Sequence, residues 1–337
     1  MPASLLAYLR NQLCEAVEFS EEPQASAGGY ETAIYAFRLT GVPPEFAGPL
    51  ILRVYPGFVD PARVTYEKTV HDTLVAGAYP APRVVLASTD VETLGGGFLV
   101  MERLPGKTLT EDFFQLSTIL RLKTRAFGFV ARSMAQLHLR LHAVDGSRLL
   151  QALTAEGLPD SAPPYRVSTR LATFDGRLDQ LAARAQAANL DGLAAGIGWA
   201  LKHRPNEHDE VLCHGDFHPF NVMSERGEIS GVIDWSLATM ASPAFDVGNT
   251  LMILGLASGA GRGGLASALR RSTAKRYLSH YQKERRAAAG HGGGPATTRP
   301  IAACSRWSGP PRTGSCARNS RRCVRVPGMR LRSRVGC

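Results

Sequence analysis

Two stretches of this chain hold side chains whose types and spacing suit one reaction. Residues 211–221 read Val-Leu-Cys-His-Gly-Asp-Phe-His-Pro-Phe-Asn, and residues 231–235 read Gly-Val-Ile-Asp-Trp. Moving a phosphoryl group asks little covalent chemistry of a protein. It needs a hydroxyl aligned and relieved of its proton, and a cation that bridges the phosphates. A carboxylate at Asp216, on a tight glycine-containing loop, can accept that proton. Oxygen ligands from Asn221 and Asp234 suit a hard cation such as Mg2+, which keeps several of its waters. The full constellation, His-Gly-Asp, then Asn221, then a strand ending in Ile-Asp-Trp, asks for more than a turn-forming Asp and Asn would.

The elements that must position these groups follow from periodicity. Residues 25–55 read as hairpins: glycines at 28 and 29, an alternating run with Ala33, Tyr35, Phe37 and Leu39 on one face, a Gly-Pro-Pro turn, and a strand at 50–55. Here a strand follows the glycines, whereas in a dinucleotide fold or P-loop they lead into a helix. Asp60 and Pro61 predict the N-cap and first residue of a helix to about Ala76, with Val64, Glu67, His71 and Leu74 on one face. Two more strands are expected at 83–87 and 97–102, giving a small, mostly antiparallel sheet with one helix. From Glu111 the signal turns helical. Phe127, Val130, Met134, Leu137 and Leu141 trace one stripe, 171–200 predicts a helical pair, and short strands return near 211 and 231. His138 and His142 sit four apart on the long helix, and with no third ligand evident they read as core or surface histidines rather than a zinc site.

Composition narrows the class. In 337 residues, 44% are hydrophobic and 20% charged, ordinary for a globular chain, and no apolar run reaches the length of a membrane span. The N-terminus lacks the basic, then apolar, pattern of a secretory signal, so a cytoplasmic location is expected. The net charge of +10 is concentrated at one end. Residues 284–337 carry twelve Arg, no Lys and one Glu, a net +11, which leaves the first 283 residues near neutral. That stretch has no periodicity and resembles a GC-rich frame translated out of register, so 284–337 is expected not to pack. The cysteines form no CxxC pair and read as separate thiols.

These residues resemble the aminoglycoside phosphotransferase and choline kinase-like family over about residues 20–283. The resemblance implies an α+β chain with the two-lobed protein-kinase-like fold: a nucleotide-binding lobe, 1–106, and a mainly helical lobe with the catalytic loop, 107–283. It implies Asp216 as catalytic base, Asn221 and Asp234 as Mg2+ ligands, and ATP as co-substrate. His214 and Asp246, the latter in Ser-Pro-Ala-Phe-Asp-Val-Gly, would buttress the catalytic loop. Gly28 and Gly29 would form the glycine turn over the phosphates, and backbone groups of Glu102 and Leu104 would meet the adenine edge. The family's phosphate-binding lysine falls at Arg53, paired with Glu67. That is a departure, as is Phe220 where many relatives have glycine. Arg keeps the charge but presents a planar fork instead of a point charge.

The acceptor expected from this reading is a hydroxyl of a small molecule. Asp246 is the only acid between Met240 and Lys283, which argues against a pocket built for a polycation. A competing reading is a nucleotide-binding protein without turnover. The arginine-rich end could neutralise nucleic-acid phosphates, but with Trp307 as its lone aromatic it has no stacking platform for specific binding. Eleven residues separate Asp234 from Asp246, too few for the platform on which a protein kinase lays a peptide.

Overall fold

The computed structural model describes residues 1–26, 32–111, 120–163, 165–202, 210–256 and 265–291. Gly28, Gly29 and the stretch beyond His291 lie outside the described residues. The first part is a five-stranded sheet, wholly antiparallel, in the order β1-β2-β3-β5-β4. Its strands are β1 (Glu18–Ala25), β2 (Ala33–Thr40), β3 (Leu50–Val54), β4 (Val84–Ser88) and β5 (Phe98–Glu102).

Alternation along β3 sorts its side chains between two layers. Leu50, Leu52 and Val54 are buried in a cluster with Phe37, Leu39, Phe98 and Val100, as a period of two requires. Leu5 and Leu9 close that cluster from helix α1 (Pro2–Gln12), where their spacing of four puts both on one face. Ile51 and Arg53 point to the other face, which is covered by α2 (Ala62–Ala76). The sheet therefore carries two helices, where the sequence led us to expect one. Strand β1 was also unforeseen: Glu-Phe-Ser-Glu-Glu-Pro-Gln-Ala is polar and mostly exposed, as an edge strand tolerates.

On α2 the face expected to be apolar is buried, with Val64, Glu67, His71 and Leu74 all inside. The helix begins one residue later than expected, at Ala62, with Pro61 as its N-cap. Asp60 still serves its start, since Oδ1 accepts the Ala62 N–H at 3.3 Å while Oδ2 accepts the Val167 N–H at 2.7 Å.

The second part is mainly helical: α3 (Leu120–His142), α4 (Ser147–Ala155), α5 (Phe174–Ala187), α6 (Asp191–Lys202), α7 (Pro243–Leu256) and α8 (Leu265–His291). The stripe Val130, Met134, Leu137 and Leu141 is buried, and α3 packs along α8. Helix α8 runs past Lys283 to His291, because Glu284 to Ala289 are good helix formers. Short strands frame the loops between these helices. β7 (Val211–Cys213) pairs with β10 (Thr239–Ala241), and β6 (Lys107–Thr108), β8 (Val222–Glu225) and β9 (Glu228–Val232) form a three-stranded sheet. Among the described residues no helix is long and apolar enough to cross a membrane.

Candidate active site

The loop 214–221 leaves β7 and enters β8, and nearly every polar atom on it is tied down. Gly215 has φ +81, and a Cβ there would strike the Leu237 carbonyl, so the turn demands glycine. Asp246, on α7 and fully buried, accepts the His214 N–H through Oδ2 at 2.7 Å and the Gly215 N–H through Oδ1 at 3.0 Å. Asn249 Nδ2 donates to the Gly215 carbonyl, and Thr250 Oγ1 donates to the Phe217 carbonyl at 2.8 Å. The His214 ring completes the clasp. Its Nδ1 accepts the Asp216 N–H at 3.2 Å, which leaves Nε2–H to donate to the Ile233 carbonyl at 3.0 Å. Burial lowers its pKa, in keeping with that neutral tautomer.

Asp216 sits at the end of this frame. Its carboxylate lies 3.3 Å from His218 Nε2 and 3.5 Å from Asn221 Nδ2, and Asn221 Nδ2 also donates to the Asp216 carbonyl at 3.0 Å. The His218 hydrogen bond chiefly, against desolvation, holds the Asp216 pKa below its ordinary value, so it is ionised at neutral pH. With its amide NH2 turned to Asp216, Asn221 presents its side-chain oxygen elsewhere.

The second carboxylate, Asp234, follows β9 in a left-handed conformation, φ 64, which is uncommon for a residue with a Cβ. Its neighbour Ile233 donates its N–H to the Asn221 carbonyl at 2.9 Å, so the loop's end and Asp234 lie on adjoining strand ends. Across from it, Arg53 on β3 makes three contacts: Nη1 to Glu67 Oε1 at 2.6 Å, Nη2 to Asp234 Oδ1 at 3.4 Å and Nε to Thr32 Oγ1 at 3.1 Å. Tyr55 donates to the other Glu67 oxygen at 2.5 Å. Burial opposes the charge on Arg53, but Glu67 and then Tyr55 and Asp234 outweigh it and raise the pKa. The Asp234 side chain is 43% exposed, whereas Arg53 is 12% and Glu67 0% exposed. An amide oxygen and an accessible carboxylate are hard donors, so Asn221 and Asp234 fit Mg2+.

Thus Asp216, Asn221, His214 and Asp246 share one hydrogen-bonded loop, and Arg53, Glu67 and Asp234 share one ion-pair chain. Glu102 and Leu104 lie at the end of β5. The Glu102 N–H is engaged by the Arg83 carbonyl at 2.9 Å, its carboxylate pairs with Arg83 at 2.7 Å, and the Leu104 side chain packs over Gly231 of β9. Several residues went unnoticed in the sequence. His218 lay inside the quoted motif. Thr32, just before β2, and Tyr55, just after β3, flank Arg53. His138 and His142 do have a third group beside them, since Asp246 Oδ2 is 2.8 Å and 3.5 Å from their Nε2 atoms. The spacing of 104 residues from His142 to Asp246 hid it.

The sequence profile of the phosphotransferase enzyme family matches residues 24–291. The chain belongs to this family. The curated relatives it matches are far longer than the shared part. Acyl-CoA dehydrogenase family member 10 of Mus musculus is 26% identical over 205 residues, which is 59% of this chain and 18% of that protein. Among solved structures, a provisionally named aminoglycoside phosphotransferase from Ralstonia eutropha has a TM-score of 0.54 at 20% identity, covering 83% of this chain and 80% of that one. A thermostable mutant of aminoglycoside phosphotransferase, in ternary complex with AMP-PNP and hygromycin B, gives 0.51 at 19% identity, covering 85% and 84%. These structural likenesses establish the two-lobed protein-kinase-like fold of this family member.

Proposed function

We propose that this phosphotransferase moves the γ-phosphoryl group of ATP onto a hydroxyl of a small molecule, with Asp216 accepting the hydroxyl proton. The observation that carries the reading is the loop 214–221, where an ionised carboxylate is fixed by Asn221 and His218 on a backbone that Asp246 holds rigid. A base fixed in this way pays little reorganisation cost at the moment of proton transfer. Asn221 and Asp234 would hold Mg2+, and the ion, when bound, neutralises charge on the phosphates. Arg53, anchored by Glu67, offers the phosphates a fixed cation on the sheet side of the site. Gly28 and Gly29 belong to the same reading as the turn over the phosphates, and Glu102 and Leu104 as the adenine edge. A nucleotide-binding lobe at 1–106, a catalytic lobe at 107–283 and a cytoplasmic setting complete it.

The surroundings favour an uncharged or anionic acceptor over a polycation. Beside the 235–238 turn, Arg63 donates to the Ser236 carbonyl and Arg177 to the Ala238 carbonyl, both over the Tyr66 ring. Among the described residues neither is paired with a carboxylate. Leu237 of the same turn backs onto Gly215, next to Asp216.

Thermal unfolding of the full chain with and without Mg·ATP tests the reading, with Asp234→Ala as the control. At a hundredfold excess over the dissociation constant the native state gains about 2.7 kcal/mol. A gain that vanishes in Asp234→Ala supports the site, and an acceptor screen read by ADP release then follows. No gain in the unaltered chain would overturn it. A gain without turnover on any hydroxyl would favour the nucleotide-binding reading, in which Arg53 occupies Asp234 without productive chemistry.

A further inference from the structure

Helix α8 reaches the catalytic loop through a chain of buried polar side chains that the reaction itself does not use. Tyr277 and Tyr281, both fully buried, place their hydroxyls 2.5 Å and 2.7 Å from Nδ1 of His138 and His142 on α3. The opposite ring nitrogens, Nε2, face a single atom, Asp246 Oδ2. Among the described residues neither Nε2 makes a directed hydrogen bond, so what joins the rings to this carboxylate is close approach and charge. That same oxygen accepts the His214 N–H, and its twin accepts that of Gly215. We propose that Tyr277 and Tyr281, acting through His138 and His142, are positioning residues for the loop that carries Asp216, and so set the rate of phosphoryl transfer rather than the affinity for nucleotide. The proposal rests on Asp216 being the base.

The chemistry assigns the protons. Burial keeps both tyrosines protonated, raising their pKa values, and burial with the neighbouring His138 lowers His142 to about 4. A phenol O–H therefore donates to each Nδ1, and each Nε2–H is left to face the carboxylate. Burial alone would push Asp246 up, yet the two imidazoles hold it well below the usual carboxylate range. With two backbone N–H groups bonded to it and two imidazoles close against one oxygen, the carboxylate is confined, and its two oxygens fix two successive amides of the loop. Tyr277 has a second route, because it lies against Thr250, whose hydroxyl holds the Phe217 carbonyl. The groups facing this cluster are His138 and His142 from α3, Asp246 and Thr250 from α7, Tyr277, Tyr281 and Arg285 from α8, Cys213 and His214 at the end of β7, and Tyr79 after α2. Two imidazoles and a carboxylate could also ligate a cation. The 2.8 Å between His138 Nε2 and Asp246 Oδ2 is shorter than the separation of about 3.3 Å between donors on one tetrahedral zinc.

The test uses the full chain and the double variant Tyr277→Phe/Tyr281→Phe, which keeps ring volume and removes only the hydroxyls. Amide hydrogen exchange at His214 and Gly215 is expected to quicken at least about tenfold, with the melting temperature lowered by only about 4 °C. ATP turnover, measured on water in the absence of an acceptor, should fall at least about tenfold while Mg·ATP binds within about twofold of the unaltered chain. His138→Gln, which still presents an N–H, should restore most of the protection, and His138→Leu none. Unchanged exchange in the double variant would overturn the proposal. So would a parallel loss of binding and turnover, or a stoichiometric metal in the purified protein whose chelation reproduces the loosening. If the unaltered chain neither binds nor hydrolyses ATP, the proposed function fails, and the exchange arm still judges the relay by itself.

Discussion

The two aspartates that frame the candidate site of this chain are stabilised by opposite means. Asp234 stands half open to solvent, 3.4 Å from a charged guanidinium that Glu67 holds from behind. Asp246 is sealed in the interior among two imidazoles, two tyrosines and two backbone N–H groups. The first arrangement can exchange one cation for another at small cost, because water screens what is lost. The second cannot, because every partner removed leaves a buried charge uncompensated. The proposed ligand and the proposed buttress thus differ in what surrounds the carboxylate, and the identity of the residue does not distinguish them.

The largest effect that would test this contrast lies between the two, at Asp216. Asp216→Asn is expected to lower ATP turnover about a thousandfold, with calorimetry finding Mg·ATP binding intact. Equal loss of binding would show that Asp216 belongs with Asp234 as a ligand. Next come the two aspartates themselves. Asp246→Ala should cost at least about 3 kcal/mol in urea unfolding, since it orphans two buried N–H groups and two imidazoles. Asp234→Ala should change stability by less than about 1 kcal/mol. Similar costs at the two positions would erase the distinction.

A pH titration sharpens it further. The folded pKa of His142 is depressed to about 4, through burial and then the neighbouring His138. In the unfolded chain it sits at about 6.5. The unfolded state therefore binds the extra proton between these values, so stability is full above pH 6.5 and falls as pH drops toward 4. The share due to His142 should approach about 3 kcal/mol, and His142→Gln should remove that share while leaving the part from His214 and His71, whose pKa values burial also lowers. Asp246, also depressed, adds a loss only at still lower pH. A smaller effect than at Asp246 or His142 is expected at Arg53→Lys, which keeps the charge and gives up the fork to Glu67, Thr32 and Asp234. A cost of about 1 kcal/mol in unfolding, with Mg·ATP binding retained, is the expected outcome.

What could be read in the sequence follows the reach of each interaction. The loop from His214 to Asn221 is local, so its residues announce themselves side by side. The pairing of Arg53 with Glu67 was implied by the family resemblance, and helical spacing added only that Glu67 faces inward. The Tyr277–His138–Asp246 cluster joins three helices far apart in the chain, and no period links its members. Strand β1 was missed for another reason: an edge strand buries little, so its sequence carries little apolar pattern.

The left-handed backbone at Asp234 has an evolutionary consequence. That conformation costs a residue with a Cβ on the order of 1 kcal/mol, and glycine adopts it freely. Asp234→Gly would relax the turn and remove the carboxylate in one step, giving a chain that is sturdier and, on the proposed reading, without its Mg2+ ligand. A library of this protein sorted for heat resistance alone should accumulate that substitution, and sequencing its survivors would reveal it. Only selection for function keeps the aspartate where the backbone resists it.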